Sequence, residues 1–527
     1  EINKIDQINL ITNFSQFYVA SPICMPNRAS LMTGRYPSVH GLRYNGNFLV
    51  RDATTFVNAL SEEGYNTSSI GKIHLQPMTV LPPYPWVNDD ALGPIKESWS
   101  INHDDYTVEQ AKNYTSNEYY DIPKPYYGFD HVDLVTGHGD KCNGHYMQWL
   151  KDNVPDSDLK FIINEAYKNF DHNKIAPVVN IDKNKYVLEL FYGPTFAFKD
   201  YALQFLGNLF SYLLTKRKKK ITVLGATSGD TGSAAINAFK GKDDIEVFIL
   251  HPHNNVSEVQ RRQMTTIEET NIHNFAIEGN FDDCQRIVKE LFVDEEIQSK
   301  TSLTAINSIN WIRIIAQTVY YFWSYLQLNR EKVNFIVPSG NFGNIFSARV
   351  AKYMGLPINE LHIVTNENDI LNRSIKTGEM KILKVKQTYS PSMDIQISSN
   401  FERQLFESSG RNSNYLNELM LSFSKDKNVT IPDNIVKDMQ SIYKTHAVTD
   451  SEVLQTIKEF YNKYNYLSDP HTATGLNVLN KINNNIANIS LACAHPAKFK
   501  NAIFDAINKE PPVPQDLKKI FDKEEKM

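Results

Sequence analysis

Lys199 follows an apolar, aromatic stretch in LFYGPTFAFKDYALQF and opens a predicted helix. That setting is unusual for lysine. An ammonium in an apolar pocket near the positive end of a helix loses its proton more readily, and the free amine can attack an aldehyde and form a Schiff base. A surface lysine whose stem lies along apolar neighbours is the alternative that spacing alone leaves open. Two loops sit where a strand hands over to a helix: ATSGDTGSA, from Ala226 to Ala234, after ITVLG, and PSGNFGN, from Pro338 to Asn344, after NFIV. Their glycines let backbone N–H groups converge without a Cβ in the way, and the helix start adds partial positive charge. Each loop can therefore cradle a phosphate or a carboxylate. The pair suits a phosphorylated cofactor beside a carboxylate-bearing substrate, whereas either loop alone is equally compatible with a plain glycine turn.

Positioning these groups requires alternating strands and helices. From about residue 186 the chain supplies them: YVLELF before a helix from Lys199, ITVLGA before one from Asp230, and EVFILH before one from Val256. The pattern continues through NIHNFAIEG, a long helical stretch from about Ile306 to Leu328, NFIVPSG, a helix to Met354 and ELHIVTN. The alternation predicts an α/β protein with a parallel sheet. The basic run Lys216, Arg217, Lys218, Lys219 and Lys220 falls where the Lys199 helix ends, and cations suit that negative end, so it reads as a solvated terminus. Up to about residue 152 the chain is loop-rich, with aromatic, proline and glycine punctuation and few periodic segments.

A chain of 527 residues exceeds the ~100–200 of one domain, so two or more are expected. A formal charge of -5 supplies no clustered positive footprint for nucleic acid or an anionic membrane surface. No apolar run approaches the ~18 residues of a membrane span. The four cysteines, Cys24, Cys142, Cys284 and Cys493, lie far apart without a CxxC pair, which favours reduced thiols over a disulfide framework or a zinc site. The expected partner is a small-molecule substrate, with neither nucleic acid nor membrane, and the expected compartment is cytoplasmic. The oligomeric state is left open.

GPTFAFKD, TSGDTGSA, SINWIRIIAQ, PSGNFGN, SPSMDIQISSNFERQLFE, SDPHTATG and AHPAKFK, in that order over roughly residues 158 to 510, together resemble the threonine synthase family. The resemblance implies a fold-type II (tryptophan synthase β-like) pyridoxal-phosphate enzyme, with two α/β domains and the cofactor between them. It implies a carbon–oxygen lyase acting on phosphates, which converts O-phospho-L-homoserine and water to L-threonine and phosphate without a metal. Lys199 then becomes the catalytic and cofactor-binding lysine. Ser339, Gly340, Asn341, Phe342, Gly343 and Asn344 resemble the cradle of the cofactor phosphate, and Thr227, Ser228, Asp230 and Thr231 the substrate-carboxylate loop. Asn307, Ser308, Asn310 and Arg313 match the block near the substrate phosphate, where a guanidinium fork suits a dianion.

Two departures stand out. Cys493 occupies the position where the family usually has a threonine partnering the pyridine nitrogen; a thiol is a weaker hydrogen-bonding group, or it is a tolerated buried cysteine. The family also usually carries several dozen residues ahead of DLKFIINEAYKNF, and unrelated sequence replaces them here. That division sets domains at 1–152 and 153–527.

Within the first part, SPICMPNRASLMTGRYPSVHGLR places Cys24, Pro26 and Arg28 in a C-x-P-x-R pattern, followed by Lys72 and His74 in GKIHL and by YYGFDHVDLVTGHGD. The set resembles the sulfatase family, whose cysteine is oxidised to a formylglycine nucleophile. Asn27 stands where that family usually has serine, and its cation-holding carboxylates have no counterpart here. Residues 1–152 are thus expected to be an incomplete, alkaline-phosphatase-like α/β fragment. Lys199 and the cradles favour the lyase; Cys24, Arg28, Lys72 and His74 favour a sulfuric ester hydrolase; the two truncations favour an inactive chimera. The lyase is the reading adopted.

Overall fold

The computed structural model describes residues 19–21, 23–43, 45, 48–78, 106–114, 120–136, 143–145, 156–227, 229–253, 256–279, 281–307 and 310–526. The chain divides into two compact units, Glu1–Leu159 and Lys160–Met527, the division falling inside the helix Asp156–Tyr167.

In the first unit, strand β1 (Ser68–Gly71) runs parallel to β2 (His131–Thr136), and β2 pairs antiparallel with β3 (Asn143–Gly144). Helices Cys24–Thr33, Pro37–His40 and Phe56–Glu62 precede the sheet. Met25, Leu42, Leu49, Leu75, Tyr126 and Leu134 form its core. The helix from Phe56 is set by Thr55, whose hydroxyl accepts from the Asn58 amide while the Asn58 side chain accepts from the Thr55 amide.

The second unit carries two main sheets. One has six strands in the order β14 (Tyr443–Ala447), β11 (Ile358–Thr365), β10 (Val333–Pro338), β15 (Ala487–Ala492), β5 (Lys185–Glu189) and β4 (Val178–Asp182). The other has four, in the order β8 (Ile272–Ile277), β7 (Ile245–Pro252), β6 (Ile221–Ala226) and β9 (Leu303–Ala305). A short antiparallel pair joins β12 (Glu379–Lys381) to β13 (Asn428–Thr430). In both main sheets neighbouring strands are parallel except for β4, which turns back on β5 as an edge hairpin with Asn184 at φ 57°. The sequence reading of a parallel sheet missed this strand, because VVNID is short and partly exposed.

Helices on both faces explain why the central strands β10 and β15 are buried throughout. On β10, Phe335 and Val337 join one core and Ile336 joins another. In the smaller sheet Val223 and Val247 face one core, while Leu224 and Leu250 face a second. Each fully buried side chain of this size is worth roughly 1.5–3 kcal/mol. The basic run does end its helix: Lys218 is the left-handed C-cap of Lys199–Arg217, and its neighbours are exposed.

Two helix starts lie later than the sequence pattern predicts. The long helix begins at Trp311 rather than Ile306, because the Asn310 side chain accepts the Ile312 amide at 3.0 Å and donates to Ala305 O at 3.3 Å, which keeps the preceding turn out of the helix. Ser257 likewise caps the helix Glu258–Thr265 by accepting from Gln260.

His362 on β11 and His446 on β14 share a hydrogen bond of 3.1 Å. Burial, and then the neighbouring His362, push His446 down to about 4, so it is neutral in the folded state. As pH falls from about 6.5 to 4 the unfolded chain takes up this proton first, and stability is lost on the acid side. The urea midpoint is therefore expected to drop between pH 7 and 5, and His446→Gln to flatten that drop; an unchanged slope would remove His446 as a cause.

Candidate active site

The turn that delivers Lys199 is closed by Asp200, whose carboxylate accepts the Thr195 amide at 2.8 Å and the Thr195 hydroxyl at 2.7 Å. Gly193 is required there, since a Cβ would meet the Asp200 side chain at 2.5 Å. The next residues form an antiparallel bridge with the segment after β15: Phe198 N donates to Cys493 O at 2.9 Å and His495 N to Phe196 O at 3.0 Å. This bridge places Lys199, the first residue of its helix, beside Cys493 at the carboxyl end of a central strand, where open α/β sheets gather ligands.

The Lys199 side chain is only 13% exposed, and its amine lies 3.8 Å from Asp230. Burial lowers its pKa; Arg313 and Lys498 add to the effect, and Asp230 opposes it. Asp230 begins the helix Asp230–Phe239 and receives two further groups, Lys498 at 2.6 Å and Gln260 at 2.8 Å. Burial disfavours its charge, yet Lys498 and Lys199 outweigh that and hold the carboxyl well below its usual range. Lys498 is wholly buried and also donates to Thr195 O at 2.8 Å.

The first cradle differs in detail from its expected form. Thr227 shapes the loop: its amide donates to Leu250 O at 2.9 Å, and its hydroxyl accepts from the amides of Gly229 at 3.0 Å and Gly232 at 2.8 Å. Gly229 sits at φ 137° against Gln260, where a Cβ would come within 2.5 Å. Among the described residues, the donors left for an anion are the first-turn amides of Asp230 and Thr231. The Asp230 carboxylate cannot itself receive an anion, and it holds the two lysines instead. Ser228 and Ser308 lie outside the described residues.

In the second cradle the Ser339 amide is bound to Val364 O at 2.8 Å, so the free donors begin at Gly340. Among the described residues the amides of Gly340, Asn341 and Phe342 have no acceptor, and those of Gly343 and Asn344 are first-turn amides of the helix Gly343–Tyr353. A Cβ at Gly340 would meet Ser392 O at 3.0 Å. Phe342 caps this helix at φ 64°. The Asn344 carbonyl oxygen of the side chain accepts the Tyr320 and Tyr321 hydroxyls, while its buried Nδ2 finds no partner.

Arg313 is 3% exposed and donates to Ile306 O at 2.8 Å; its Nε has no partner, and burial brings its pKa down to about 10. It has no carboxylate neighbour among the described residues. Among the described residues Asn307 Oδ1 also has no partner, whereas Asn310 is the helix cap described above. Cys493 is 7% exposed; burial, then Asp469, push its thiol well above the usual range, so it is uncharged. Its amide donates to the Thr472 hydroxyl at 2.9 Å.

Residues 176–418 match the family described as pyridoxal-phosphate dependent enzyme, and 472–527 the one described as threonine synthase, C-terminal. The threonine synthase of Pseudomonas aeruginosa is 46% identical over 378 residues, covering 71% of this chain and 81% of that protein. The chain belongs to the threonine synthase family. The threonine synthase of Saccharomyces cerevisiae is 42% identical, over 70% of this chain and 80% of that one. The crystal structure of pyridoxal-phosphate-bound threonine synthase from Brucella melitensis matches with a TM-score of 0.68 at 46% identity, covering 71% of this chain and 81% of that one. A yeast threonine synthase structure matches at 0.67 and 41% identity, covering 71% of this chain and 82% of that one.

The second unit thus has the fold-type II architecture of the threonine synthases, and pyridoxal phosphate is its cofactor. The residues present fit that group. A mostly buried amine, a glycine-rich ring of amides without acceptors and the orphaned Nδ2 of Asn344 offer an amine for its aldehyde and donors for its phosphate. Lys498 and Gln260, which hold Asp230, were not singled out in the sequence; the signal available for Lys498 was a lysine inside AHPAKF, next to the cysteine.

Residues 2–149 match the family described as Sulfatase. Cys24 opens its helix with Sγ 3.5 Å from His74 Nδ1 and 3.3 Å from Asn45 Oδ1, and Arg28 donates to Lys72 O at 2.7 Å. The four residues read from the sequence are gathered in one place. Asn45 was not foreseen. Nor was Glu109, a fully buried carboxyl that burial pushes up to about 7 while it accepts the Leu75 and Gln76 amides and the Tyr126 hydroxyl.

Proposed function

We propose that residues 153–527 convert O-phospho-L-homoserine and water to L-threonine and inorganic phosphate, and that residues 1–152 are a sulfatase-like segment ahead of that enzyme. The observation that carries the substrate is Arg313: a buried guanidinium with an unused Nε, close enough for its charge to act on Lys199, suits the phosphate of a substrate whose amine is at the cofactor. When bound, pyridoxal phosphate supplies an aldehyde for the substrate amine and a ring that draws electrons from the α-carbon.

Lys199 is the general base: with its amine neutral it takes the α-proton; removal of a Cβ proton then expels the γ-phosphate, and protons return to Cγ and finally to Cα. The amides of Asp230 and Thr231, with Thr227 and Ser228 shaping their loop, hold the substrate carboxylate. Arg313, with Asn307 and Ser308 in the preceding turn, holds the phosphate and steadies it as it leaves; Asn310 fixes that turn by capping the helix. Water adds at Cβ once the phosphate has gone. The amides of Gly340 to Asn344 hold the cofactor phosphate, with Ser339 anchoring the loop to β11. Cys493 would be the partner of the ring nitrogen, as a neutral thiol. The cytoplasm is the compartment we assign, on the strength of the proposed reaction alone.

The test is the purified chain incubated with pyridoxal phosphate and O-phospho-L-homoserine. Equal amounts of threonine and phosphate are expected; a folded, cofactor-loaded protein that makes neither would leave the inactive-fusion reading. Cys493→Thr should bind the cofactor up to about tenfold more tightly, as one better hydrogen bond is worth ~0.5–1.5 kcal/mol, measured by equilibrium dialysis. Weaker binding would show the thiol to be the better fit. For the first unit, the Cys24, His74 and Arg28 arrangement keeps sulfate-ester hydrolysis as a second reading, checked by sulfate release from an aryl sulfate and its loss in Cys24→Ala.

A further inference from the structure

The proposed reaction requires Lys199 to act as a neutral amine, yet a carboxylate stands 3.8 Å away. Alone, Asp230 would hold a proton on that amine. The structure supplies the remedy in Lys498, which lies on the turn after β15 and has no exposed side-chain surface. Its Nζ approaches Asp230 Oδ1 at 2.6 Å, while Lys199 meets Oδ2 at the longer distance. Thr195 O takes a second Lys498 proton at 2.8 Å, and Gln260 fixes the same Oδ1 from the other side. A wholly buried lysine is costly unless paired, so this geometry needs a counter-charge, and Asp230 is the carboxylate in contact.

We propose that Lys498 is a positioning residue that neutralises Asp230 and thereby frees the amine of Lys199 to exchange protons with the substrate. Asp230 is shared by the two amines, one at each carboxylate oxygen. The inference rests on the reading of Lys199 as the cofactor-bearing base and extends it to a residue whose side chain binds Asp230 and Thr195 O. Other charges nearby do not replace it. Cys493 is neutral, as is His495, which burial lowers to about 4. Arg313 stays charged and only adds to the depression of Lys199. Asp200, which acts on Lys498, is raised by burial to about 6 and belongs to the Thr195 turn.

The experiment reads Lys199 directly. Apoprotein is mixed with pyridoxal phosphate, and the rate at which its visible band appears is followed against pH, since only the free amine reacts. K498M leaves Asp230 to Lys199 alone, and the pH midpoint should rise by at least one unit. D230N leaves Lys498 unpaired, and the midpoint should fall. K498R keeps the charge and should stay within about 0.3 units of wild type. Opposite shifts are what a general loss of structure cannot produce. The proposal is overturned if K498M keeps the wild-type midpoint, if both variants shift the same way, or if K498M is too unstable to measure while D230N shifts upward. Lys199→Ala that still develops the band would defeat the underlying assignment of Lys199 instead.

Discussion

Lys199→Ala should fold normally, fail to develop the visible absorption of covalently held pyridoxal phosphate, and lose at least ~10⁴-fold in kcat. Two roles vanish with one amine, the attachment of the cofactor and the transfer of the α-proton, so the loss should exceed that of removing a general base alone. The fold should survive because Asp230 keeps its shorter ion pair with Lys498, and the turn before Lys199 is held by Asp200 and by the bridge to Cys493 and His495. Absorbance, threonine formation and a urea unfolding curve on the same sample check the three parts. A variant that turns yellow and retains a tenth of the activity would remove Lys199 from the mechanism.

Arg313→Met should pull activity and stability in opposite directions. The guanidinium is fully enclosed and donates to one carbonyl, with no carboxylate among its described neighbours, so methionine relieves an uncompensated buried charge. The midpoint of thermal unfolding should hold or rise. Truncating the partner of a buried phosphate should cost about 2–5 kcal/mol in kcat/KM, or roughly 30- to several-thousand-fold. Inorganic phosphate should inhibit the parent competitively and the variant far less. A fall in stability with unchanged phosphate inhibition would mean that Arg313 is a structural group.

The α/β class, the strand-to-helix loops and the position of Lys199 were legible because apolar strands and glycine turns are local signals. YVLELF, ITVLGA and NFIVPSG all became strands that end at the site. What the local pattern left out was where each loop spends its own polar groups. The Ser339 amide is bound to Val364 on a neighbouring strand, and Thr227 turns its hydroxyl inward to two loop amides. Asp230 belongs to the loop assigned to the substrate carboxylate, and its own carboxylate faces two lysines, one of them from the segment after β15. Lys498 carried no sign of its burial, since a lysine in AHPAKF resembles any other until its carboxylate is found. The late start of the Trp311 helix is a different case: Asn310 was visible and its capping capacity was the signal.

The strand order has a consequence for the sequence of events during synthesis. β6 to β9 lie within one short stretch of chain, so the four-stranded sheet can form as soon as it has left the ribosome. β15, by contrast, is inserted between β10 and β5, with Asn488 paired to Lys185 across most of the unit's length. Until it arrives, the facing edges of β10 and β5 stand unpaired, and closing them is the slow, high-contact-order step. Cys493 and Lys498 come with that same strand and the turn after it. The nascent protein therefore has no cofactor pocket while its edges are exposed, and the capacity to take up pyridoxal phosphate reports that the last central strand has found its place.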